Sequence, residues 1–301
     1  MLMDINRCFV KFVQFNDRTI QSIINKTVKF STVYEFNDLN EQNVTVGLPH
    51  EFPTVIAELK KYLSDDGKRE NVISKIKENI LCNDKNIPKY NEIRQYCQDI
   101  ASALRNQTWD DFEGIDWATV IEHISYIETG IFCLSWVGVF KDDAAQLMFA
   151  HYAENLQGLA LVYILDINTE LPIAIEYKGR QGASMGENEY IKLIKGKFFG
   201  FFNYKSKNWK YENEYRFFST PGLQIASNIG LTLKGIFHTE RFDGEVDVPK
   251  LKLLRSINEK YYENQLFIER LIRSYLEEKF LVYKQENGKP KRYEVLKYLE
   301  S

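Results

Sequence analysis

Trp209-Lys210-Tyr211-Glu212-Asn213-Glu214-Tyr215-Arg216-Phe217-Phe218 is the stretch on which the reading of this chain turns. Taken as one β-strand, its side chains alternate between two faces. Lys210, Glu212, Glu214 and Arg216 then share one face, and Trp209, Tyr211, Tyr215 and Phe217 the other. The aromatic face would hold the strand in a core. The charged face sets two carboxylates about 7 Å apart along the strand. Each raises the other's proton affinity, while Arg216 lowers it. Such a pair can divide acid and base roles; the same pattern also fits a solvated ion-pair ladder.

Around this stretch the composition excludes several classes. With 301 residues, 44% hydrophobic and 14% aromatic, the chain can bury a large core in one elaborated domain or two. Only 16 Gly and 7 Pro against 20 Phe and 18 Tyr argues against disorder. A net charge of −3 gives no overall basic field to attract nucleic acid. No apolar run approaches a membrane span, and the opening MLMDINRCFV lacks a charged-then-apolar leader, so a cytoplasmic location is expected. Cys8, Cys82, Cys97 and Cys133 show no CxxC spacing and read as reduced thiols.

Periodicity divides the chain. RCFVKFVQF and TVKFSTVYEF read as strands flanking a helix DRTIQSIIN, with Asp17 as its expected N-cap. From 53 to 128 apolar residues recur at helical spacing in PTVIAELKKYL, NVISKIKENIL, IPKYNEIRQYCQDIASAL and WATVIEHISYI. Gly67 and CNDKN interrupt them, and Asp116 caps the last. From 130 to 245 the pattern turns to strands: GIFCLSW, GLALVYIL, LPIAIEYK, the charged stretch and LTLKGIFHTERF. A helix in DDAAQLMFAHYAEN and another in GKFFGFFNYKSK interleave with them. The tail INEKYYENQLFIERLIRSYLEE reads as helix, FLVYKQ as strand, ENGK as turn, and the end as a short helix. The expected fold is α+β, with a mixed, mostly antiparallel central sheet, flanking helices and a helical insertion. Residues 1–52 and 129–301 form the core, and 53–128 the insertion.

Phosphate-loop, dinucleotide GxGxxG, GxSxG and HExxH motifs are absent from the sequence. His151, in Ala150-His151-Tyr152-Ala153-Glu154 before Gly158, could orient a ligand or simply pack. Asn37-Asp38 after Phe36 reads as a turn whose side chains serve the backbone. Lys11 interrupts an apolar strand, for which a snorkelling lysine is the default account.

Three islands together resemble the bacterial domain-of-unknown-function family 2971. They are Lys11-Phe12 with Lys29-Phe30-Ser31 and Phe36-Asn37-Asp38 plus Glu41; Cys133-Leu134-Ser135 with Phe149-Ala150-His151-Tyr152-Ala153 and Gly158; and Lys207 with Trp209–Arg216, then Gly235-Ile236-Phe237 and Arg241. Two positions depart from the family: Leu39-Asn40 stands where Pro-Phe is usual, and Phe149 where Trp is usual. The order of these islands is similar in turn to ADP-ribosyltransferases, especially the DarT-like group. That resemblance implies NAD as co-substrate, Glu214 or Glu212 as the catalytic carboxylate with Arg216 beside it, and Lys11 on the pyrophosphate. It implies Ser31, Asn37 and Asp38 around the nicotinamide ribose, and His151 or Tyr152 on the base. The acceptor would be nucleic acid or protein, and the setting a toxin or phage-defence effector, with a partner or inhibitor protein conceivable. Two other readings stand beside it: a non-enzymatic sensor or partner-binding module, in which Tyr261-Tyr262 offers an aromatic contact, and a metal-dependent phosphodiesterase or nuclease using Asp38, Glu41, His151, Glu212 and Glu214. The convergence of Lys11, Asn37, His151 and Glu214 on one cleft is the structural expectation.

Overall fold

A computed structural model describes residues 4–36, 53–82, 90–106, 117–141, 144–178, 186–197, 200–242, 247–274, 279–286 and 289–294. The chain opens with β1 (Cys8–Val13), α1 (Asp17–Asn25) and β2 (Thr27–Phe30). Four helices follow: α2 (Pro53–Leu63), α3 (Asp66–Cys82), α4 (Tyr90–Asn106) and α5 (Trp117–Glu128). Then come β3 (Gly130–Trp136), α6 (Ala144–Tyr152), β4 (Leu159–Leu165), β5 (Ile173–Ala174), β6 (Glu176–Tyr177) and α7 (Glu187–Ile194). β7 (Tyr204–Lys205), β8 (Glu214–Ser219), β9 (Gly222–Ile225) and β10 (Leu231–Thr239) complete the middle of the chain. It closes with α8 (Val248–Tyr261), β11 (Phe267–Ser274), β12 (Lys279–Glu286) and β13 (Lys289–Glu294).

Nine of these strands form one sheet in the order β13-β12-β11-β10-β4-β1-β3-β8-β5. Only β10 and β11 run parallel; every other neighbouring pair is antiparallel. The fold is α+β. β1 sits in the sheet centre because it is apolar on both faces. Phe9 packs with α1 and α8 residues such as Ile23 and Leu254 on one side, while Val10 and Phe12 pack against Phe149 of α6 on the other. Full burial of each such side chain contributes about 1.5–3 kcal/mol.

One irregularity shapes the rest. β1 pairs with β4 along its whole length, from Cys8↔Ile164 to Val13↔Leu159. With β3 it pairs only at Phe9↔Trp136 and Val10↔Ser135. Beyond Val10 the two strands part. Ser31, just past β2, bridges Ile131 of β3 through reciprocal backbone hydrogen bonds of 3.0 and 2.8 Å. The Cys133 carbonyl, on the parted side of β3, accepts a hydrogen bond from Lys11 Nζ at 2.9 Å. The central sheet is therefore split.

All four helices between 53 and 128 form as the periodicity predicts. Their core is not theirs alone: Val33, Ile131, Phe202 and the α7 residues Tyr190, Leu193 and Ile194 belong to the same buried cluster. Among the described residues no helix is long and apolar enough to cross a membrane. Cys8, Cys97 and Cys133 are free thiols.

Several local expectations are corrected. Asn16, not Asp17, caps α1: its side chain accepts the Thr19 N–H, and Asp17 is the first helical residue, where its charge suits the helix dipole. Gly67 lies inside the first turn of α3 instead of separating helices. The helix expected in GKFFGFFNYKSK is a 3₁₀ turn (Gly200–Asn203) leading into the short β7. LPIAIEYK divides into β5 and β6, which join different sheets. In the tail, FIERLIRS is strand β11, and KPKRYE forms β13 where a helix was expected. β11 finds its partner in β10, and a long-range pairing of that kind overrides helical periodicity. Tyr262 is no free contact surface; it is buried and its hydroxyl donates to the Ile23 carbonyl. Cys82 of the CNDKN segment ends α3, and residues 83–86 of it, with Asp116, Asn37, Asp38, Leu39, Asn40 and Glu41, lie outside the described residues.

Candidate functional site

The stretch 209–218 is not one strand. Lys207–Glu212 forms a 3₁₀ helix closed by Asn213 in the left-handed region (φ 43°), and β8 begins only at Glu214. Asn suits that conformation because its short polar side chain tolerates positive φ. Tyr215 and Phe217 pack in the core as expected, whereas Trp209 and Tyr211 lie on the 3₁₀ helix. Lys210 consequently shares no strand face with Glu214 and Arg216. The turn nevertheless brings the two carboxylates closer than a strand would, onto a common cation.

That cation is Lys205, on β7. Its ammonium donates to Glu212 Oε2 at 2.7 Å and to Glu214 Oε2 at 3.1 Å. Arg216 Nε donates to Glu214 Oε1 at 2.6 Å, and its Nη1 to the Phe202 carbonyl at 2.7 Å. The Tyr152 hydroxyl, from the last residue of α6, donates to Glu212 Oε1. The Tyr177 hydroxyl accepts the Glu214 N–H at 2.7 Å. Lys205, Glu212, Glu214 and Arg216 are all less than a tenth exposed. Four buried charges survive because each is paired and hydrogen-bonded.

The two carboxylates differ in proton affinity. Burial pushes Glu212 up to about 7, the negative charge of Glu214 adds to the rise, and Lys205 and Tyr152 offset only part of it. Burial acts on Glu214 in the same direction, but Arg216, Lys205 and hydrogen bonds from Arg216 and the Cys133 thiol outweigh it and hold this carboxyl well below the usual range. One guanidinium separates the two cases. With Glu212 protonated, the group Lys205, Arg216 and Glu214 carries one net positive charge; with Glu212 ionised it is neutral. Tyr152 is itself raised, by burial and then by Glu212, so it remains a donor. Burial and then Glu214 push the Cys133 thiol up, leaving it protonated and unreactive.

These groups face a cavity of about 270 Å³ at the split between β1 and β3. Its polar wall comprises Lys11, Ser31, Glu35, Ser135, Tyr152, Lys205, Glu212 and Glu214. Phe36, Met148 and Trp209 supply apolar surface. Of the residues singled out in the sequence, Lys11, Ser31, Tyr152, Glu212 and Glu214 thus come together. Arg216 lies behind Glu214 without lining the cavity, its guanidinium 5.6 Å from the Phe36 ring centre. His151 does not join them. It is exposed and packs its ring against Trp209 and Tyr211, with centroids about 6 Å apart. Asn37 and Asp38 follow Phe36 directly but lie outside the described residues.

Sequence reasoning missed Lys205. Its only signal is a lysine within the aromatic run Phe201-Phe202-Asn203-Tyr204, and no local pattern shows that β7 runs beside Glu212. Of the residues the metal reading would use, Asp38 and Glu41 lie outside the described residues, and among the described residues no group of three or more His, Cys, Asp and Glu could hold an ion. The four oxygens of Glu212 and Glu214 already accept from Lys205, Arg216 and Tyr152. No family model, curated protein or solved structure matches this chain.

Proposed function

We propose that the protein is an NAD-consuming transferase of the ADP-ribosyltransferase type. One observation carries the reading: Lys11 on β1, Ser31 after β2 and the Glu212-Asn213-Glu214 turn, far apart in sequence, line one cavity. This is the arrangement that the resemblance to that class implies for a basic residue, a serine and a late glutamate. The reaction class is heterolysis of the nicotinamide–ribose bond, with the bonding pair leaving on nicotinamide nitrogen and an acceptor nucleophile bonding to the ribose carbon.

Within it each residue has a defined task. Glu212 is the acid–base group, because its proton affinity near neutrality lets it take the acceptor's proton. Glu214 stays ionised and holds Lys205 and Arg216 in place, a positioning role more than a chemical one. Tyr152 fixes the rotamer of Glu212 through its hydroxyl. Lys11, anchored on the Cys133 carbonyl, presents positive charge on the cavity wall for a phosphate oxygen. Phe36, Met148 and Trp209 exclude water from the reacting ring.

The toxin or phage-defence setting, and a nucleic-acid or protein acceptor, belong to the same proposal through the resemblance alone. The test is transfer of label from NAD carrying a tagged adenylate to components of a bacterial lysate. Labelling by wild type that disappears in Glu212→Gln supports the reading. The absence of any labelled acceptor, together with no free ADP-ribose, removes it and leaves the partner-binding module.

A further inference from the structure

A second cavity adjoins the first on the other side of the split. It has a volume of about 800 Å³ and shares Lys11, Ser31, Glu35, Phe36 and Cys133 with the carboxylate cavity. Its walls are unlike each other. One is helix α1, which presents Asp17, Arg18, Gln21, Ser22 and Asn25. At 3.6 residues per turn these five positions cover roughly 140° of the helix surface, all of it polar, while Ile20, Ile23 and Ile24 face the core. The facing floor is apolar and aromatic: Phe132, Leu161 and Tyr163 of the sheet, with Leu223 of β9 at the rim.

A polar wall opposite an aromatic floor matches a flat heterocycle, with an apolar face to stack and an edge of donors and acceptors to satisfy. The volume exceeds what a single ring fills and leaves space for a sugar and a phosphate. Charge decides the size of the ligand. Lys29 is tied to Glu35 at 2.6 Å, and Asp17 and Glu35 both line the groove. Arg18 is exposed on α1 and makes no ion pair among the described residues. One such guanidinium, with Lys11 at the junction, suits a single phosphate group. A strand of nucleic acid needs a track of cations, and neither this groove nor the net charge of −3 supplies one.

We propose that the groove between α1 and the sheet is a mononucleotide subsite, holding a purine base against Phe132 and Tyr163 and its phosphate toward Arg18. The ligand of the whole site is then bipartite, with a nucleotide in the groove and the reacting sugar across the split against Glu212. This extent of the ligand rests on the chemistry proposed for the carboxylate cavity, but the groove is testable without it, since AMP has no bond for that cavity to cleave.

The experiment is calorimetric titration of the full chain with AMP, adenosine and a twelve-residue single-stranded oligonucleotide. It uses wild type, Arg18→Ala and Ser22→Trp, both substitutions lying on the groove side of α1 away from the core. The expected result is AMP binding to wild type at least about tenfold tighter than adenosine, the difference a charge-assisted contact makes. That gap narrows in Arg18→Ala, and AMP binding is lost in Ser22→Trp with circular dichroism unchanged. Absence of AMP binding, AMP binding unaffected by Ser22→Trp, or an oligonucleotide bound more tightly than AMP would each overturn the proposal. AMP binding without any nicotinamide release from NAD would keep the groove and remove the reading of the carboxylate cavity.

Discussion

Replacing Glu212 by Gln changes one charge at nearly constant shape, and its effect on stability against pH follows from the surroundings. Glu212 is raised from an ordinary 4.5 to about 7. Between those values the folded chain holds a proton that the unfolded chain has released, so stability falls as pH rises through this window. The interval corresponds to about 3 kcal/mol, and with the residue only 3% exposed solvent screens little of it. Glu214 acts with the opposite sign: its contribution is complete above the usual carboxylate range and is lost as pH falls below it. Wild type should therefore lose stability from about pH 4.5 to about pH 7 where Glu212→Gln does not. Urea unfolding of both proteins across that range, with equal m-values, reads the gap directly. The reasoning predicts a change of about 3 kcal/mol in the difference between the two proteins. Parallel curves over the whole range would refute it, because Glu212 would then ionise as an ordinary surface carboxylate.

Three further outcomes follow from the same geometry. Lys205→Met removes the cation shared by both carboxylates and should cost about 3–5 kcal/mol; the double variant Lys205→Met/Glu212→Gln should recover part of that loss in chemical denaturation. Tyr152→Phe removes a hydrogen bond that favours ionised Glu212. It should move the ionisation of Glu212, and the acidic limb of any pH–rate profile, upward with little change in melting temperature. Gly158→Ala places a Cβ within 2.2 Å of the Val13 carbonyl. It should destabilise the start of β4 by about 1–3 kcal/mol, visible as a lowered melting temperature with the carboxylate cluster intact.

The sheet was legible strand by strand where apolar residues are dense, although the neighbours β1–β4, β1–β3 and β4–β10 are far apart in sequence. β1, β3 and β4 read correctly because each carries a nearly continuous apolar run, which only a two-sided core explains, and β10 because Leu231 and Leu233 alternate with polar residues ahead of Ile236-Phe237. β11 did not, since Phe267–Ser274 carries Glu269, Arg270 and Arg273 at spacings that equally suit a helix, and only its pairing with β10 decides. At the site, the sequence showed the carboxylate pair but drew the wrong local geometry. Asn213 at positive φ turns an expected strand into a 3₁₀ helix and a sharp corner, and Asn is the one residue there able to signal it. The pairing of Lys205 with both carboxylates spans only seven and nine residues, but it depends on the turn at Asn213, which a strand reading of the stretch does not contain. His151 misled for the converse reason: a histidine beside Tyr152 looks catalytic, yet helix α6 turns one residue inward to Glu212 and the other outward against Trp209.

The central claim is that Glu212, poised by Lys205, Glu214 and Tyr152, does acid–base chemistry on a ribosyl bond in the split of the sheet. Nicotinamide release from NAD by wild type and by Glu212→Gln, followed from about pH 5 to about pH 9, tests it most directly. The account predicts release by wild type that rises through the ionisation of Glu212 near 7, and its loss in a variant that unfolds at the same urea concentration as wild type or a higher one. No release at any pH, or a variant turning over with the wild-type profile, would contradict it.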